Sequence, residues 1–385
     1  MTPATREDYL YDDIIDVDTA QREHRCFVSI LERFATVLYV RDLLAEVVQT
    51  PEVRELLIRE TMDVVPLEPL ARELQELEPD ALVRMLIEGR EETPGALAGA
   101  LNECSYALPP LPNLFFTRDT AMAIGDHVMV GSMRYGARWS EELLMKALFS
   151  YHPSLANCGI LYDGSAERRH NYSLEGGDVH PLRGDTMMIG FSERSSPAAI
   201  DSLVALLFGR TSIEHVIVVV MPAENTAIHL DMILTHVDLG RCIVYPPHFI
   251  GPERLPILYW RKGQSHLRQM PDVFAALREC DLPMEPVFCG GARRIMQDRE
   301  QWASGCNCVA LRPGLVMSYA RNTATLRELE GAGFRIVTAE AFLSGTEAVE
   351  DGTTAVITFE GGELVRGGGG PRCMTCPVSR DDAWN

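Results

Sequence analysis

Four short stretches of the chain set reactive side chains among turn residues: PNLFFTRD at 112–119, LEGGDV at 174–179, HLD at 229–231 and PRCM at 371–374. A thiol, an imidazole and several carboxylates are the groups of nucleophilic and proton-transfer catalysis. In HLD, an extended backbone projects His229 and Asp231 to the same face, because strand side chains alternate, and an acid–base group then stands beside a carboxylate. The paired glycines after Glu175 permit positive φ or a close approach of main chain to a ligand. In PNLFFTRD, Phe115 and Phe116 lie next to Arg118 and Asp119. Each stretch also has an ordinary reading, as a strand-end hydrogen bond, a turn, a surface ion pair or a pair of idle thiols.

The glycine run GGGGPRCMTCP at 367–377 carries two cysteines three positions apart. That spacing fits a zinc clip, a redox pair or a loop presenting one working thiol. A zinc site needs two further ligands, and CNC at 306–308 offers them. Cys306 and Cys308 are two apart on an expected strand, however, and do not meet the usual C-x2–4-C spacing.

These stretches need elements to hold them. Residues 41–92 read as short helices: Leu43, Leu44, Val47 and Val48 recur at three and four, and Thr50-Pro51 marks a cap and first-turn proline before Val53, Leu56 and Leu57. Pro66, Pro69 and Pro79 punctuate further helices, PLARELQEL and DALVRMLIEG. From about residue 106 the texture changes to short strands, HVMVGSM, MMIGFS, HVIVVVMP, RCIVYPP, NCVALRPGLVMSYA, FRIVTA and TAVITFE. Helices such as SEELLMKALFSYH and SPAAIDSLVALLF fall between them, the pattern of a mixed α/β domain. No phosphate-binding glycine loop and no internal sequence repeat is found.

The chain of 385 residues is 46% apolar, enough for a large core, and its formal net charge of −20 argues against a nucleic-acid partner. The same field favours a cationic small substrate. No apolar run reaches membrane-spanning length, and the acidic start MTPATREDYLYDDIIDVD lacks the order of a secretory signal. Ten scattered cysteines do not form a disulfide framework, so the cytoplasm is the expected compartment.

In their order and distances the four stretches, with HLDMILTHVD, CNCVALRPG, YARN and ELVRGGGGPRCMTCP, resemble the arginine deiminase family of guanidine-modifying enzymes. The resemblance runs from about Pro3 to the C-terminus. It implies a five-bladed α/β propeller (pentein) of ββαβ units, with residues 1–40 and 106–385 forming the catalytic domain and 41–105 a helical insertion. It implies Cys373 as nucleophile, His229 and Glu175 in proton transfer, and Asp119 and Asp231 on the guanidinium. Asn113, Arg138, Asp178 and Arg194 would bind the rest of the substrate, with Phe116 lining the site. Free L-arginine and water are the implied partners, with no metal or organic cofactor, and a homo-oligomer is compatible with the pattern.

A guanidinium offers five N–H donors in a rigid plane, so carboxylates on several edges suit it, and the α-carboxylate suits a forked cation. Cys376 is then an expected bystander. Two departures from the family pattern stand out: the strand with an L-H-R-P segment that usually opens relatives is absent, and Gly368 stands where many relatives carry arginine. An amidinotransferase, a hydrolase of a modified arginine and an inactive binding relative are the alternative readings.

Overall fold

The computed structural model describes residues 1–101, 106–167 and 172–384. Of the ten cysteines, Cys104 lies outside the described residues, as does the end of the expected helical insertion.

Helix α1 (Val17–Leu31) is followed by α2 (Val40–Val47), α3 (Pro51–Val64), α4 (Glu68–Glu76) and α5 (Pro79–Glu88). Proline opens α3 and α5 at positions where its missing N–H costs nothing. Thr50 has the extended backbone of a cap but makes no side-chain capping bond. Leu43, Leu44, Val47, Val48, Val53 and Leu57 are buried as the spacing requires, while Ile58 rather than Leu56 completes the buried face of α3. These helices share an apolar cluster with α6 (Trp139–Tyr151), through Leu143, Leu144 and Leu148.

The remaining chain repeats one unit four times: two antiparallel strands, a helical crossover and a strand returning parallel to the second. The first unit is β1 (Ala121–Ile124), β2 (His127–Val130), α6 and β3 (Gly159–Asp163). The second is β4 (Val179–Arg183), β5 (Thr186–Phe191), α7 (Pro197–Arg210) and β6 (His215–Val220). The third opens with β7 (Leu234–Asp238) and β8 (Arg241–Val244), lends the hairpin β9 (Ile257–Arg261) and β10 (Arg268–Met270) to the edge of β6, then closes through α8 (Val273–Glu279) on β11 (Glu285–Phe288). The fourth runs β12 (Val309–Arg312), β13 (Leu315–Tyr319), α9 (Thr323–Gly331), β14 (Arg335–Thr338) and β15 (Ala355–Phe359), with sheet order β12-β13-β15-β14. Central parallel strands covered on both faces read as continuous apolar runs, which is why HVIVVV and AVITF carry no alternation. The fold is thus mixed α/β of ββαβ units, as expected.

One feature of the repeat positions the site. In each unit a short turn leads into the first strand: Thr117–Thr120 before β1, Gly176–Asp178 before β4, Leu230–Met232 before β7, and Cys306–Cys308 before β12. Between the fourth unit and the first run α1, the 3-10 turn Leu364–Gly367 and the loop to Cys373. Phe27 of α1 packs on Phe359 of β15. The buried Glu23 carboxylate accepts the backbone N–H groups of Gly362 (2.9 Å), Glu363 (3.0 Å) and Leu364 (3.0 Å), fixing the start of that loop. No helix among the described residues is long and apolar enough to cross a membrane.

Candidate active site

The four turns and the cysteine loop converge. Arg118 N–H donates to the Cys373 carbonyl (3.1 Å), tying the first turn to the loop. A Cβ at Gly176 would collide with the Arg118 carbonyl, and one at Gly177 would lie 2.6 Å from the His229 ring. Neither glycine has positive φ; their role is close approach, which brings the second turn against the first and third. Gly368 does take a left-handed conformation (φ 83°), and Gly367 and Gly369 press against Phe115 and Phe116 with no room for a side chain.

His229 and Asp231 reach the same site, but not as alternating strand residues. His229 is extended and Asp231 sits in the 3-10 turn ahead of β7. His229 Nε2 is 2.8 Å from Glu175 Oε2 and its Nδ1 is 3.7 Å from Asp119 Oδ1. Burial works against a charge on His229, yet Asp119, the Glu175 hydrogen bond and Asp178 lift its pKa to about 9. Burial likewise works to raise Glu175, but Arg194 and His229 outweigh it and hold it at about 2. The pair is therefore an imidazolium on a carboxylate at neutral pH.

Cys373 Sγ lies 3.1 Å from Asn307 Nδ2 and 3.7 Å from Asp231 Oδ2. Burial, then the charges of Asp231 and Asp119, push its pKa well up, so the thiol here is neutral. Each nearby carboxylate has one oxygen on an arginine of this chain: Asp119 Oδ2 accepts from Arg138 Nη1 (2.6 Å) and Asp231 Oδ2 from Arg372 Nη1 (2.6 Å). The other oxygen of each, Oδ1, is buried with no hydrogen-bond partner among the described residues. Cys373, His229, Glu175, Asp119 and Asp231 are all 3% exposed or less, so this conformation is closed.

The remaining expected residues are brought to the same region in different states. Arg194 donates from Nη1 to Glu175 Oε2 (3.3 Å), stacks 4.7 Å above the Tyr135 ring, and leaves its buried Nε unpartnered. Arg138 is more fully engaged, with Nε on both Glu141 oxygens (3.0 and 3.1 Å) and Nη2 on Oε2 (2.8 Å). Asn113 donates to the Tyr9 carbonyl (2.8 Å), and Phe116 is buried against Phe115. Asp178 has both oxygens on the protein: Ser192 and Ser195 hydroxyls at 2.6 Å and Leu230 N–H at 2.8 Å, clamping the second turn to the third. Burial lifts its pKa to about 6.

Three residues escaped the sequence reading. Asn307, between the two cysteines of CNC, accepts the N–H groups of Arg372 (3.0 Å) and Cys373 (3.2 Å) on Oδ1 while its Nδ2 faces the thiol. Arg372 covers Asp231, and Glu141, lifted by burial to about 7, backs Arg138. Asn307 occupies in the fourth unit the turn that supplies Asp119, Asp178 and Asp231 in the others, the signal that would have found it. Cys306 and Cys308 sit in an apolar cluster with Cys242 and Cys289, Cys373 packs in another cluster, and Cys376 points its thiol at the Ala121 carbonyl (3.4 Å).

Asp119, Glu175 and His229 present ligand atoms within 4.8 Å of one another. An ion there would compete with Arg138 and Arg194 and would have to displace the proton that the two carboxylates hold on His229. The donor set suits a planar organic cation better: separated buried carboxylate oxygens around a thiol.

Fold and site together set a buried thiol on repeated ββαβ units, with carboxylates arranged about it. The sequence profile described as arginine deiminase matches residues 7–380, and a protein named arginine deiminase from Levilactobacillus brevis is 31% identical over 405 aligned positions, spanning 99% of this chain and 93% of its own. The chain belongs to the arginine deiminase family. Among solved structures it is similar to the product-bound N-terminal domain of ArgZ, an arginine dihydrolase of cyanobacteria, at 18% identity over 70% of this chain and 76% of that one (TM-score 0.47). It is also similar to a dimethylarginine dimethylaminohydrolase adduct with S-methyl-L-thiocitrulline, at 16% identity over 70% and 79% (TM-score 0.45).

Proposed function

We propose that the protein hydrolyses free L-arginine to L-citrulline and ammonia through a covalent intermediate on Cys373. The observation that carries this reading is the pair of unpartnered, buried carboxylate oxygens, Asp119 Oδ1 and Asp231 Oδ1, flanking the Cys373 thiol. Leaving a buried acceptor unmet costs about 1–3 kcal/mol, more when it is charged, and a guanidinium supplies donors to both at once. The substrate's positive charge offsets the carboxylates that hold Cys373 neutral, so binding releases the thiol proton to solvent and leaves the thiolate beside its target.

The thiolate attacks the guanidino carbon. His229, its Nε2–H held by Glu175, gives the proton on Nδ1, the side that faces Asp119, to the departing nitrogen, and ammonia leaves. An amidino-thioether remains, bearing the rest of the substrate. The imidazole, now neutral, takes a proton from water, whose oxygen attacks the same carbon; the carbon–sulfur bond breaks, the hydroxyl proton of the adduct passes to the departing sulfur, and citrulline is released with the thiol restored. Asn307 Nδ2 is placed to donate to the sulfur throughout. Arg194, with its free Nε, is the anchor for the α-carboxylate, and Arg138 holds Asp119 in place with donors already largely used. Phe116 lines the site, Asn113 belongs to the amino-acid end of the substrate, and Asp178 sets the relative position of Glu175 and His229.

Residues 41–105 are read as an insertion into a catalytic unit of 1–40 and 106–385, supported by the way α2–α5 pack together and on α6. The nine cysteines among the described residues are free, which fits the reducing cytoplasm. Release of ammonia and citrulline from free arginine, with no added amine, tests the proposal. An absolute requirement for an amine acceptor would make the protein an amidinotransferase, and arginine binding without ammonia release would make it a binding protein.

A further inference from the structure

A cavity of about 610 Å³ lies further along the first strands of all four units, at Ala123, Pro181, His236 and Ala310. Three arginines line it. Arg118 is 2% exposed, and its donors meet only neutral acceptors: the Arg372 carbonyl (3.2 Å), Thr375 Oγ1 (2.9 Å) and the Met122 sulfur. Arg372 spends Nη1 on Asp231 and Nη2 on the Val179 carbonyl (3.3 Å). Arg380 stands at the exposed mouth, on a terminal segment pinned by the Trp384 Nε1 bond to the Leu182 carbonyl (3.0 Å). Among the described residues neither Arg118 nor Arg380 has an ion-pair partner. Among the described residues the one carboxylate lining the cavity, Asp126, is on its exposed rim.

Three guanidiniums against one buried carboxylate, Asp231, leave an excess of two positive charges in an enclosed space of a protein whose net charge is −20. Their crowding has measurable marks. Burial and then the charges of Arg372 and Arg380 push the Arg118 pKa down, and burial with the same three arginines holds His236 neutral, at about 3. Its buried Nδ1 has no hydrogen-bond partner among the described residues.

We propose that this cavity is a second binding site, for a phosphate group, either free or carried on a small molecule. A dianion matches the excess charge, forked guanidiniums match tetrahedral oxygens, and the volume exceeds what one phosphate fills. The site is distinct from the arginine pocket but shares Arg372 with Asp231.

Calorimetric titration of the full chain in the absence of arginine, at low ionic strength, tests this independently of any deiminase activity. Inorganic phosphate and glycerol 3-phosphate are the two probes, distinguishing a free from a carried group. Saturable one-site binding of at least one probe is expected. Arg380→Gln removes one charge-assisted contact from an exposed residue and should weaken that binding about ten- to a hundredfold, while Arg72→Gln, on an exposed helix face, leaves it unchanged. Absence of saturable binding by both probes in the millimolar range overturns the proposal. So does binding that Arg380→Gln leaves intact, or that both substitutions weaken equally.

Discussion

Replacing Asp119 by Asn preserves shape and removes one charge from the point where substrate, His229 and Arg138 meet. Folding should survive, because Arg138 keeps Glu141 through Nε and Nη2 when Asp119 loses its charge. The substrate loses one charge-assisted contact, at about 1.5–3 kcal/mol, so kcat/KM for arginine should fall roughly ten- to a hundredfold. A second effect is diagnostic. Asp119 is the largest influence raising the His229 pKa against burial, so the variant imidazolium should lose its proton at lower pH than the wild type's about 9. Ammonia-release rates measured across pH should therefore show a basic limb near 9 in wild type and an earlier one in Asp119→Asn. Stability follows the same linkage. A histidine whose folded pKa is raised contributes stability that is fully present below its unfolded value of about 6.5 and lost as pH rises through about 9. Thermal unfolding across that window should cost the wild type more than the variant. An unchanged kcat/KM, or a basic limb that does not move, would refute the placing of Asp119 between guanidinium and imidazole.

Arg194→Gln should penalise arginine roughly ten- to a hundredfold while leaving agmatine, which lacks the α-carboxylate, nearly untouched; equal losses in steady-state kinetics would reject the anchor role. Asn307→Asp keeps an acceptor for the two backbone N–H groups but sets a negative charge 3.1 Å from the thiol, so turnover should fall and iodoacetamide should alkylate Cys373 only at higher pH than in wild type. Cys376→Ser should leave ammonia release within a few-fold and the metal content unchanged, since its thiol faces a backbone carbonyl; loss of stoichiometric zinc together with activity would contradict that.

The strands were legible in the sequence where burial on both faces leaves a bare apolar run, as in HVIVVV, and the helices where proline opens an apolar stripe, as at Pro51 and Pro79. The repeat of the ββαβ unit was not, because its four copies share geometry and a turn position but no residue sequence. HLD misled in the same way: three residues cannot distinguish a strand from a 3-10 turn, and the turn is set by packing on Gly177 and Asp178. The acidic and nucleophilic residues were legible through their stretches. Asn307 and Arg372 were not, because each acts through a partner from a distant segment; Glu141 was not, because an i,i+3 neighbour of Arg138 looks like any helix-surface pair until both prove buried. The burial of that pair, which leaves Arg138 with its donors largely engaged, is a property of packing that the spacing does not carry.

The central claim is that Cys373 sulfur bonds to the guanidino carbon. Arginine labelled with heavy carbon at that atom, mixed with enzyme and quenched in acid during turnover, should leave labelled adduct on the peptide containing Cys373 and none on the one containing Cys306 and Cys308. The adduct should be absent from Cys373→Ala, which should also make no citrulline. Label on another peptide, or citrulline formed by Cys373→Ala at a substantial fraction of the wild-type rate, would contradict the account.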